Sequence, residues 1–255
     1  MIEFWIITIG LFGMVFGSFS NVLVHRLPRR ESVVFPSSNC PKCHADIAWY
    51  DNIPVLSYLI LRAKCRHCQQ HIAMRYPLLE ISMGLCWSAL VWHYGLSPTT
   101  VMAIVLVSLL LVLSIIDLET ELLPNTLTFP GIALGLLYNL WAGDIYSSLI
   151  GAFAGYFVFW SVATVFFMLT KKHGMGGGDF KLLAMLGAFL GWQSLPLIIL
   201  FASLSGTVIS VIYLIISRKG SQTRIRFGPF LAAAGIVWLL WGPQIWQWYL
   251  DLAKV

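Results

Sequence analysis

Eight apolar runs follow one another along the chain, at about 4–24, 78–94, 99–116, 126–142, 146–170, 180–193, 194–217 and 229–250. A hydrocarbon core of about 30 Å takes about 20 helical residues to cross. Inside it every backbone N–H and C=O must find a partner within the protein. The runs lack the alternation of a barrel strand, so they predict helices. The run 180–193 is short for a crossing. Hydrophobic residues make up 58% of the 255 and charged residues only 11%, where a soluble domain carries about 25% charged. The opening "MIEFWIITIGLFGMVFGSFSNVLVHRLPRR" has no basic n-region and no small-residue cleavage site, so it is read as a retained first span. The expected fold is an all-α polytopic membrane protein of about eight transmembrane helices.

Basic residues set the orientation. Arg26, Arg29, Arg30, Lys42, Arg62, Lys64, Arg66 and Arg75 fall between the first two runs. Lys171, Lys172, Lys181, Arg218, Lys219, Arg224 and Arg226 fall on the same side, so 8 + 7 = 15 of 16 basic residues share one face and only Lys254 lies opposite. That face is expected to be cytoplasmic, with both termini outside. The net charge of +5 suits anionic lipid headgroups. A nucleic-acid surface would need a basic folded face with interleaved aromatics, and none is present. The expected organisation is a first helix at 1–24, a polar insertion at 25–77, and a membrane core at 78–255.

The insertion holds "CPKC" and "CRHC", with 21 residues between the pairs. Cys40, Cys43, Cys65 and Cys68 at this spacing predict two turns closing on one tetrahedral zinc. A reducing cytoplasm keeps the thiols free. Two redox pairs or disulfides are the competing reading. His44, His67 and His71 lie nearby but are not needed, because four thiolates complete the shell. A closed shell makes the zinc structural, and some 50 residues with little core need its binding energy to fold. Cys86, inside the second run, reads as a small buried hydrophobe.

Of the eleven acids, Asp117 closes the third run and Asp179 opens the sixth, 62 residues later and on the same face. Acids at such positions are costly unless paired or hydrated. Two carboxylates brought close hold one proton between them. The ionised member can take a proton from water while the other donates to a carbonyl oxygen, which is aspartic peptide hydrolysis. Gly174, Gly176, Gly177 and Gly178 leave backbone free of Cβ atoms ahead of Asp179, so an extended substrate can approach. A phosphate loop would want Gly-Lys-Ser/Thr after the glycines, and they are followed by Asp-Phe. The bland alternative is that Asp179 only complements its helix dipole. Asp117, at the opposite pole of its helix, has no such excuse. Glu119 and Glu121 read as exposed. Glu80 reads as a hydrated interfacial acid or a partner of Arg75.

Taken together, "GSFSNVLVHRLP" at 17–28, the paired Cys-x-x-Cys insertion, "RYPLLE" at 75–80, "DLETELLPN" at 117–125 and "GMGGGDFKLLAMLGAFLGW" at 174–192 resemble the type IV prepilin peptidases. These are bifunctional leader peptidases and N-methyltransferases of pilus and type II secretion systems. The resemblance implies that Asp117 and Asp179 are the catalytic pair, at the cytoplasmic face of a bacterial inner membrane. It implies prepilin and pseudopilin substrates, cut after a glycine that ends a short basic leader. It further implies methylation of the new N-terminus with S-adenosylmethionine. No glycine fingerprint places that donor; Arg75, Glu80 and Lys181 are the candidates for it or for structural pairing. A peptidase without the second activity, an ion- or proton-coupled transporter, and a zinc-bearing scaffold are the rivals. Against transport, the acids cluster at one face and no inverted repeat is evident.

Overall fold

The computed structural model describes residues 2–35, 37–171, 176–217 and 226–253, and among them there are helices but no strands. Gly174 lies outside the described residues, as do Lys172, Arg218, Lys219, Arg224 and Lys254. The described residues form nine α-helices in order: α1 (Ile2–Arg26), α2 (Leu56–Ile60), α3 (Arg75–Tyr94), α4 (Pro98–Thr120), α5 (Asn125–Ala142), α6 (Ile145–Thr170), α7 (Gly177–Leu190), α8 (Leu195–Ser217) and α9 (Gly228–Ala253). Every apolar run is therefore helical. Among the described residues five segments are long and apolar enough to cross a membrane: Ile2–Arg29, Pro98–Thr120, Ile145–Thr170, Trp192–Ile212 and Gly228–Asp251. α3, α5 and α7 fall short of that measure. The chain divides within α4 into two compact units, Met1–Val112 and Leu113–Val255.

In the first unit α1 packs along α3 through small residues, which let two backbones approach where lipid gives no hydrophobic drive. A Cβ on Gly17 would stand 2.7 Å from the Glu80 Cα, and one on Gly13 3.0 Å from the Gly84 Cα. Polar side chains add to the seam: Asn21 Nδ2 donates to the Tyr76 carbonyl (3.2 Å) and Ser88 Oγ to the Ile6 carbonyl (3.0 Å). Trp87 Nε1 donates to Ser108 Oγ at 3.0 Å, tying α3 to α4.

In the second unit α7 is the central element. Leu182, Leu183, Met185, Leu186 and Ala188 are all at most 1% exposed. α6 meets it so closely that a Cβ on Gly187 would stand 2.2 Å from the Gly151 carbonyl oxygen. The end of α7 carries carbonyls with no helical partner. Asn139 Nδ2 takes two of them, on Ala188 (2.9 Å) and Phe189 (3.2 Å), and Ser148 Oγ also donates to Ala188. Fourteen residues at 1.5 Å each make α7 about 21 Å long, too short to cross a bilayer by itself. Its burial explains the shortness, since a helix sheathed by protein need not match the lipid.

Candidate functional site

Two constellations of titratable side chains are built, one in each unit. The cysteines belong to the first. In each Cys-x-x-Cys turn the amide after the second cysteine returns to the first cysteine's carbonyl: His44 N to Cys40 O (2.9 Å) and Gln69 N to Cys65 O (3.0 Å). Both closing residues take positive φ, 57° at His44 and 56° at Gln69. A single antiparallel bridge flanks each turn, Asn39 with Asp46 and Lys64 with His71. The two turns are thus local copies of one design, which is why spacing alone announced them.

The four Sγ atoms lie within 4.8 Å of one another. A tetrahedral shell with metal–sulfur bonds of about 2.3 Å has edges of about 3.8 Å, and Cys40 Sγ is 3.8 Å from Cys68 Sγ. The group fits a metal ion. Burial acts to raise the Cys40 thiol, yet the amides of Cys43 and Lys42 and the neighbouring thiols bring it down to about 7. The Cys68 and His67 amides lower Cys65. The Gln70 amide acts to lower Cys68, but burial and the three other sulfurs push it up to about 11. His44, His67 and His71 are exposed and do not join the cluster. Beside it, Arg66 grips Asp51 through two bonds, Nε to Oδ2 at 2.7 Å and Nη2 to Oδ1 at 2.6 Å, and lies over the Tyr50 ring.

The second constellation is Asp117 and Asp179, 6% and 9% exposed. The sequence ended its helix at Asp117; in the structure α4 continues for nearly a turn, to Thr120. Asp179 stands in the first turn of α7, after Gly176 at the cap. The charge of Asp117 acts directly on Asp179. The glycines ahead of Asp179 divide into two kinds. Gly176 and Gly177 are exposed, and among the described residues, their own chain neighbours aside, no atom comes closer than 3.8 Å to where a Cβ would be. Gly178 is tight, since its Cβ would stand 2.8 Å from the Leu123 Cβ. Glu119 and Glu121 are exposed as expected, and Glu121 pairs with Arg226 at 3.7 Å.

Gly228 had no signal in the sequence. Its backbone N–H donates to Asp117 Oδ2 at 3.1 Å, a contact made across 111 residues.

Each residue considered for a methyl donor has a local contact. Glu80 is buried, and its Oε2 accepts from the Val55 amide at 2.7 Å. Val55 is the centre of a tight turn, with φ 62° and a Leu56 N to Pro54 O bond of 2.6 Å. Arg75 lies over the Tyr76 ring, 4.8 Å from its centroid. Lys181 Nζ donates to Asn125 Oδ1 at 2.7 Å and lies over the Phe129 ring.

Apolar helices, a four-cysteine cluster and two buried acids define the class: a helical membrane protein. Residues 11–94 match the bacterial peptidase A24 N-terminal domain, and residues 104–211 match the type IV leader peptidase family. Three relatives named prepilin leader peptidase/N-methyltransferase are similar over nearly their whole length. The one from Stutzerimonas stutzeri is 42% identical over 95% of this chain and 93% of its own. The Pseudomonas aeruginosa protein is 42% identical over 95% and 92%, and that of Neisseria gonorrhoeae 37% over 93% and 92%. No solved structure gives a significant match. The chain belongs to the type IV leader peptidase family.

Proposed function

We propose that this protein cuts the leader peptide from type IV prepilins and pseudopilins and methylates the amine so exposed, with Asp117 and Asp179 as the catalytic pair. The supporting observation is the pairing of two buried carboxylates at the end of α4 and the start of α7. Water donates a proton to the ionised aspartate and its oxygen bonds to the scissile carbonyl carbon. The protonated aspartate gives its proton to the carbonyl oxygen. Collapse of the tetrahedral species breaks the C–N bond, and the proton taken from water passes to the leaving amine. The open backbone at Gly176 and Gly177 gives an extended peptide room beside Asp179.

The eight-span arrangement rests on the eight apolar runs, the outside termini on the basic residues of one face, and the inner-membrane location on the family resemblance. In that arrangement α3 and α5 cross as shorter helices, and α7 does so sheathed by α5 and α6. The aspartates then lie at the cytoplasmic face, where a basic leader meets its apolar helix. The four cysteines hold zinc, which closes the insertion. S-adenosylmethionine supplies the methyl group when bound, and no step above is routed through it.

A tagged prepilin expressed with this chain is expected to shift in mobility. Asp117→Asn or Asp179→Asn abolishes the shift while the variant still accumulates in the membrane. Full-rate cutting by either variant would remove the peptidase assignment.

A further inference from the structure

Asp117 and Asp179 are not equivalent. Asp117 Oδ2 accepts the buried Gly228 N–H, at the point where α9 starts and its first amides have no helical acceptor. Gly228 does not take positive φ; what it supplies is space. A Cβ there would stand 2.7 Å from Asp117 Oδ2 and 3.2 Å from Cγ. The approach is held from the preceding residue. The Phe227 carbonyl accepts from Phe230 N (3.1 Å) and Leu231 N (3.2 Å), and the Phe227 ring lies against Phe159, centroids 6.0 Å apart. The other charges acting on Asp117 are Arg226, ahead of α9, and Glu121 in its own chain segment. Asp179 stands in the first turn of α7.

We infer that Gly228 is a positioning residue, whose N–H holds Asp117 Oδ2 and whose missing side chain lets α9 come that close, so that Asp117 is the ionised member and Asp179 carries the proton. This rests on the aspartic peptidase reading above. It assigns the roles: Asp117 takes the proton from water and Asp179 protonates the carbonyl oxygen. A donor to a carboxylate favours its charged form, and among the described residues it is Asp117 that has one.

The test is the pH–rate profile of the purified full chain on a prepilin substrate, scaled to folded protein by thermal melting. Gly228→Ala is expected to lower kcat roughly ten- to hundredfold, the size of a lost bond to a charged group, with KM unchanged. Its acid limb moves up by about one pH unit, because a carboxylate that loses a donor ionises at higher pH. Phe227→Leu keeps the N–H but loosens its anchor, and gives a smaller change in the same direction. The inference is overturned if Gly228→Ala keeps both kcat and acid limb, or if its effect falls on KM alone. Should Gly228→Ala not fold, an unaltered profile in Phe227→Leu overturns it equally. Asp117→Asn and Asp179→Asn run beside these. Activity surviving in them sinks the peptidase reading itself, whereas their inactivity beside an unaltered Gly228→Ala sinks only the positioning role.

Discussion

The cysteine cluster and the aspartate pair both gather acidic groups from distant sequence, but by opposite means. Each cysteine turn is complete within six residues, from Cys40 to Ala45 and from Cys65 to Gln70, and three of the cluster's four thiols are not buried. A metal ion can join two such turns with almost no core beneath them. The aspartates have no local motif of that strength. They are held by buried helices, by glycine contacts that tolerate no methyl group, and by an amide 111 residues away. A site joined by an ion is local and depends on ligands. A site joined by packing is global and depends on neighbours that never touch the substrate.

That contrast breaks most sharply in metal and activity assays run together. Asp179→Asn is expected to lower cleavage by ~10³-fold or more and leave bound zinc at its wild-type amount. Cys40→Ser is expected to lose most of the zinc and expose the insertion to protease, by metal analysis and limited proteolysis, with the carboxylates' own unit intact. Loss of zinc in the aspartate variant would show that the two sites are one cooperative structure.

A smaller effect is expected from packing. Gly187→Val drives methyl groups into the Gly151 backbone and should destabilise by about 1–3 kcal/mol, seen as a lower melting temperature in detergent. Cleavage should fall with it, because α7 carries Asp179, while zinc content stays level. The smallest effect belongs to Arg66→Ala. The Arg66 guanidinium beside Asp51 holds that carboxyl below the usual carboxylate range. A lowered value stabilises above the ordinary Asp value, near 4, and the contribution fades as pH falls through the lowered one. The variant should show slightly faster proteolysis of the insertion at neutral pH and none of that difference in strong acid. An equal difference at both would assign the effect to Arg66 packing on Tyr50.

The helices were legible because apolar runs and helical backbone are nearly the same statement inside a bilayer. The cysteine cluster was legible because thiolate spacing encodes a turn. For Asp117 and Asp179, the sequence showed two acids at one face and motifs that resemble a family, but not that both would be buried within one compact unit. Glu80 illustrates the limit. From sequence it is an interfacial acid beside Arg75, and in the fold it is buried and holds the strained turn at Val55.

Composition and spacing by themselves determined an all-helical membrane protein with a four-thiolate cluster, because hydrophobicity and ligand geometry act over short stretches of chain. Tertiary structure alone decided that α7 is sheathed, that Gly178 packs on Leu123, and that α9 begins against Asp117. Those facts depend on close approach between segments far apart in sequence, and a glycine records only that something comes near, never what.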